Sequence, residues 1–111
     1  MSEKHAAVMR FHRPATALEA KFSLEFGVAA GLIAGRVGLA ELGDAFVRRD
    51  DVRALMERVT IEVGPDDDPD YPVGAKADSV ALDLADGTRI ESEPVHRFRG
   101  HGQNPVSREE L

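Results

Sequence analysis

Four histidines, His5, His12, His96 and His101, are the side chains of this sequence best suited to proton transfer near neutral pH. All lie toward the two ends, in the company of Lys4, Arg10, Arg13, Arg97 and Arg99. If the ends meet in space, they form a local positive surface on an acidic protein. His101, in Arg97-Phe-Arg-Gly-His101-Gly, sits in a glycine-flanked basic loop that could grip a carboxylate, with Arg99 beside it; a solvated basic loop is the bland alternative. Lys21, Ser23 and Glu25 interrupt an otherwise apolar stretch, and a polar group on a buried helix needs a partner: solvent, a neighbouring domain or a ligand. No nucleophile motif, phosphate loop or metal-ligand spacing occurs, and no two histidines stand four apart, so neither cofactor nor metal is expected.

The element that must position these groups is Thr16 to Gly35. Thr16 and Glu19 have the form of a capping box, in which the carboxylate reaches back to the Thr16 amide. Phe22, Phe26, Ala29, Ala30 and Ile33 recur at helical spacing, with Leu24, Val28 and Leu32 on the next stripe. The pattern predicts one long buried helix over 17–34, ended by a left-handed Gly35. Gly27, Gly31 and Gly35 leave one face almost bare, which calls for close approach of another element.

Residues 1–4 are expected to fray, and alternation over 5–12 suits a strand with Met9 and Phe11 inward. Asp50 or Asp51 is placed to cap a second helix at about 50–58, with Val52, Leu55, Met56 and Val59 on its apolar face. The period then shifts to two, giving a strand over 59–63. Gly64 to Gly74 reads as a solvated acidic loop, since Asp66-Asp67-Asp68-Pro69-Asp70 lacks the spacing of a calcium loop. Asp86-Gly87 between alternating runs predicts a hairpin of strands 78–84 and 88–93. Ser107 has the look of an N-cap. The sum is a single α+β domain in two layers: a mainly antiparallel sheet of about four strands packed against the central helix, with the second helix beside it.

Composition narrows the function classes. A chain of 111 residues can bury a core, and the absence of cysteine excludes disulfides and thiol chemistry. A net charge of −6 without a basic helix argues against nucleic acid. The uncharged run of the central helix falls short of the roughly 20 residues a membrane span needs, and no leader is evident. A cytoplasmic protein is the expectation.

From Glu19-Ala-Lys-Phe-Ser-Leu-Glu-Phe-Gly-Val-Ala-Ala-Gly-Leu-Ile-Ala-Gly35 the chain resembles the MmgE/PrpD family. The likeness extends through Asp50-Asp-Val-Arg-Ala-Leu-Met-Glu-Arg-Val-Thr-Ile-Glu-Val63, the Leu84-Ala-Asp-Gly87 turn and Gly100-His-Gly-Gln-Asn-Pro-Val-Ser-Arg-Glu-Glu-Leu111. It implies the smaller α+β lid of a larger enzyme, without the helical domain that holds most of the catalytic groups. It also implies cofactor-free proton removal next to a carboxylate in small polycarboxylic acids. A helical partner in trans is implied as well, together with homodimerisation through contacts largely outside this region. Lys21 and Ser23 fit the family pattern and, with Arg99 and His101, are the substrate-binding candidates. Phe26 stands where the family commonly has a site-facing tyrosine, and Glu25 where it commonly has proline. Both departures weaken catalysis by this chain alone. The rival expectation is a binding or regulatory module that kept the lid fold and lost the chemistry.

Overall fold

The computed structural model describes residues 1–65 and 67–110. Two compact units result, one of Ala6–Glu62 and one of Met1–His5 with Val63–Leu111. The elements run α1 (Glu3–Val8), α2 (Ala17–Ala20), α3 (Leu24–Ala34), α4 (Asp44–Val47), α5 (Asp50–Met56), β1 (Asp67–Asp68), β2 (Tyr71–Ala75), β3 (Ala81–Asp83), β4 (Arg89–Glu91) and a closing 3-10 turn at Arg108–Glu110. The composition is α+β. Among the described residues no helix is long and apolar enough to cross a membrane.

In the Ala6–Glu62 unit the expected single helix over 17–34 is two helices, α2 and α3. A continuous helix would bond the Phe26 N–H to the Phe22 carbonyl. Instead the Phe26 N–H donates to Ser23 Oγ at 3.2 Å, and the Phe22 carbonyl accepts the Phe11 N–H at 3.1 Å. Ser23 is extended (φ −125°, ψ 116°) and caps α3, the role in which serine competes best with helix interior. The outer ends of the expected helix are as predicted. Thr16 Oγ1 accepts the Glu19 N–H at 3.2 Å, and Gly35 closes α3 at φ 72°. The Glu19 carboxylate accepts the Ala15 N–H at 2.8 Å, one residue before the expected Thr16 amide.

The core of this unit is helix on helix. Ala20, Phe26, Ala29, Ala30, Val47, Val52 and Met56 are buried, with Ile33, Leu42, Phe46 and Leu55 packed against them. Only one side of α3 is covered, however, and Leu32 remains 48% exposed. The glycine face is open as well: a Cβ at Gly27 or Gly31 would meet no atom within 4 Å, so the expected close approach is not made among the described residues. α5 begins at Asp50 as read but ends at Met56. Its N-cap is Arg49 and not an aspartate; Asp51 accepts the Val52 N–H from inside the first turn.

Two expected strands are missing. Residues 5–12 give the end of α1 and an irregular segment, because the Ser2 hydroxyl accepts the His5 N–H at 3.2 Å and starts a helix in the Glu-Lys-His-Ala-Ala-Val run. Residues 59–63 alternate but have no ladder partner, and an unpaired alternating run is not a strand.

In the other unit the start of the chain is held and not frayed: Ser2 is fully buried and bridges Gly64. The sheet of about four strands is replaced by two separate antiparallel pairs, β1–β2 and β3–β4. The hairpin falls where Asp86-Gly87 put it, with Leu82 opposite Ile90. Gly87 takes φ 88°, and Asp86 accepts the Thr88 N–H at 2.8 Å, which draws its carboxyl below the usual range. The region read as an acidic loop carries β1 and β2. Asp66 lies outside the described residues. Asp68 is no solvated carboxylate: it is 8% exposed and pairs with Arg97 at 3.0 Å. Ser107 starts the closing turn as read, its N–H donating to Glu110 at 2.7 Å.

Candidate functional site

The α2–α3 break assembles a cluster of polar side chains around a buried carboxylate. Glu25, in the first turn of α3, is 6% exposed, a rare state for a carboxylate without partners. It has two. Ser23 Oγ donates to its Oε2 at 3.4 Å, and His12 Nδ1 lies 2.7 Å from its Oε1. An ionised carboxylate only accepts, so the proton of that bond belongs to Nδ1, and this leaves Nε2 as the ring's outer nitrogen. The His12 side chain is 66% exposed against 8% for Glu25. A buried carboxylate thus orients an accessible imidazole, the arrangement by which proteins set a histidine's tautomer.

Three cations lie near this pair along the chain. Lys21 is exposed in the break, while Arg10 and Arg13 flank His12 in the chain. Among the described residues none of the three has an ion pair. Arg10 instead lies over the Phe11 ring at 5.3 Å and lines an open hollow of about 240 Å³ with Ala7, Val8 and Phe22. Ser23 is 1% exposed and its hydroxyl is spent on the cap and on Glu25, so it holds the site and presents nothing to solvent. Phe26 is also 1% exposed, its ring edge-on to Phe46 with centroids 6.1 Å apart. It belongs to the core.

The other two candidates lie in the second unit. Arg99 is held within the tail: its guanidinium donates to the Pro105 carbonyl at 2.6 Å and to Glu110 Oε1 at 2.6 Å. The Arg99 guanidinium, followed by the Ser107 N–H, pulls the Glu110 carboxyl down to about 2. His101 Nδ1 accepts the Gln103 N–H at 3.0 Å, and its ring stands edge-on to Phe98. Lys21 and Ser23 therefore share one local site, and Arg99 and His101 another, one in each unit. His5, at the other end of the chain, lies 3.1 Å from Asp78.

The His12–Glu25 pairing is the feature sequence reasoning missed. Its one signal was a carboxylate on an apolar, capped helix, which requires a partner; which partner depends on a contact across 13 residues.

Residues 2–111 match the family model of the MmgE/PrpD C-terminal domain. The chain is 30% identical over 93 residues to cis-aconitate decarboxylase of Mus musculus, covering 84% of this chain and 18% of that protein. It is 26% identical over 98 residues to cis-aconitate decarboxylase of Homo sapiens, covering 88% of this chain and 20% of that protein. The chain therefore spans about a fifth of the length of these relatives. With residues 2–111 inside one family match, the chain belongs to the MmgE/PrpD family as its C-terminal domain.

Proposed function

We propose that this domain is the lid half of a site for small polycarboxylic acids, completed by a helical domain that supplies most of the catalytic groups. The family match over residues 2–111 carries this reading, with two relatives named for decarboxylation of cis-aconitate. Lys21 supports it locally. It is an exposed cation at a helix break, and no carboxylate among the described residues neutralises it. In this reading Lys21 attracts a ligand carboxylate and Ser23 fixes the break, while His101 and Arg99, the latter already bonded to Glu110, are the basic candidates of the other unit.

The test is an amide NMR titration of the labelled chain with citrate and cis-aconitate at moderate salt, which screens loose attraction. Saturable shifts clustered at Lys21 to Phe26 and at Arg97 to His101 are expected. Weak shifts scattered over every basic residue would refute the reading.

A second reading has a specific observation behind it. Phe26 has no hydroxyl and sits in the core, which favours a binding or regulatory module without chemistry. Addition of a separately produced helical domain separates the two: turnover of cis-aconitate by the mixture supports the lid, whereas ligand binding without turnover supports the module.

A further inference from the structure

We propose that His12 is the ligand-facing acid–base residue of the α2–α3 break and that Glu25 is its positioning residue. The ligand class, a small polycarboxylate, rests on the function proposed above. The role of His12 rests on geometry. An imidazole bonded through Nδ1 to a buried carboxylate has one rotational setting and one favoured tautomer, and its remaining nitrogen is free to accept or donate a proton. Here that bond is 2.7 Å long, and the His12 side chain is 66% exposed.

A surface tether would not need this construction. Exposed His–carboxylate pairs contribute little, and burial of one carboxylate to hold an exposed histidine is a cost unless further bonds offset it. At Glu25 they do. Ser23 Oγ donates to the second oxygen, and the carboxylate stands in the first turn of an 11-residue helix, where the helix dipole attracts negative charge. Both oxygens are engaged from within the fold, and the ring is the one component left accessible. The surroundings then select the ligand's charge. Arg10, Arg13 and Lys21 lie on the chain segments that carry His12 and Glu25, and none of them has a carboxylate partner among the described residues. An anion drawn there would find in Nε2 a group able to exchange a proton with it.

The test follows the His12 ring itself. In the labelled full chain at pH 7 and moderate salt, citrate or cis-aconitate should shift the His12 Nε2 resonance saturably, with the same dissociation constant as the Lys21 amide. Nδ1 should keep the signature of a protonated nitrogen throughout. His12→Gln should weaken binding roughly three- to tenfold, as expected for loss of a partly solvated charge-assisted bond. Glu25→Ala, which removes the acceptor, should release the ring, so that Nδ1 and Nε2 signals average, and should weaken binding by a similar factor. Amide spectra report whether each variant is folded, and the wild-type ring measurement stands without either. Saturation at Lys21 with an unmoved Nε2, and affinity unchanged in His12→Gln, would overturn the inference while leaving the lid reading in place. Saturation nowhere would overturn both.

Discussion

Replacing Phe26 by tyrosine should damage this domain and add no ligand affinity. The Phe26 ring is 1% exposed, stands edge-on to Phe46 and adjoins Ala29 and Ala30, neither of which has any exposed surface. A hydroxyl at the para position enters that contact. An unsatisfied buried hydroxyl costs about 1–3 kcal/mol, and forcing an extra atom into a packed core costs a comparable amount. The two overlap, since a shift that makes room also admits water, so a net loss of about 2–4 kcal/mol is expected for Phe26→Tyr. At some 4–8 °C per kcal/mol for a small domain, the melting temperature should fall by at least about 8 °C. Thermal and urea unfolding followed by circular dichroism measure the loss. Citrate affinity corrected for the folded fraction should not rise. A Phe26→Tyr variant as stable as the parent would refute the reasoning: the ring edge would then reach a polar partner or water, and position 26 would belong to a site surface.

Other substitutions test other links. Ala at Gly27 and Gly31 finds open space in a helix interior, so each should stabilise by roughly 0.5–1 kcal/mol; denaturation midpoints that fall instead would mean the bare face is occupied in solution. Gly35→Ala should cost about 1–2 kcal/mol because φ there is 72°, and an unchanged midpoint would contradict a left-handed cap. Glu110 bears on pH. Its folded value of about 2 lies below the ordinary 4.5, so the stabilisation from Arg99 and the Ser107 N–H is complete above 4.5 and is lost as pH falls through 2. The Ser107 amide resonance should therefore titrate well below 4.5 in the parent and lose that step in Glu110→Gln; a midpoint at the ordinary carboxylate value would show that the tail is not docked.

What could be read from the sequence was local. Thr16 as a cap, Gly35 as a stop and Asp86-Gly87 as a turn each depend on residues within four positions, and each is found where its chemistry put it. Some misreadings came from pairings with distant residues, others from a local cap that outweighed the wider pattern. Alternation over 59–63 is indistinguishable from a strand until the missing partner is known. Asp68 belongs to an acidic run in the sequence and to Arg97 in space. Residues 5–8 belong both to the alternating run 5–12 and to the helix that Ser2 caps, and the cap prevailed because Glu3 to Val8 also favour helix. For the site, Lys21, Ser23 and Glu25 stood out as polar groups in need of partners, yet nothing near them in sequence named His12.

The misread helix and the missed site are one fact. Residues two apart on a continuous helix lie about 200° apart around its axis and do not face each other. Ser23 and Glu25 in an unbroken helix over 17–34 would point to opposite sides, and no hydroxyl could reach the carboxylate. Extension at Ser23 turns its side chain toward the first turn of α3, where Oγ serves both the Phe26 N–H and Glu25. The same extension frees the Phe22 carbonyl, and the Phe11 N–H takes it. That bond lays residues 10–13 alongside the break, one position from His12, and so delivers the imidazole to Glu25. One serine in place of a better helix former therefore divides the helix, fastens the preceding segment and orients the imidazole. Ser23→Ala should favour the continuous helix and separate His12 from Glu25 in one step. A His12 ring that kept its protonated Nδ1 signature in that variant would show that the pair does not depend on the break.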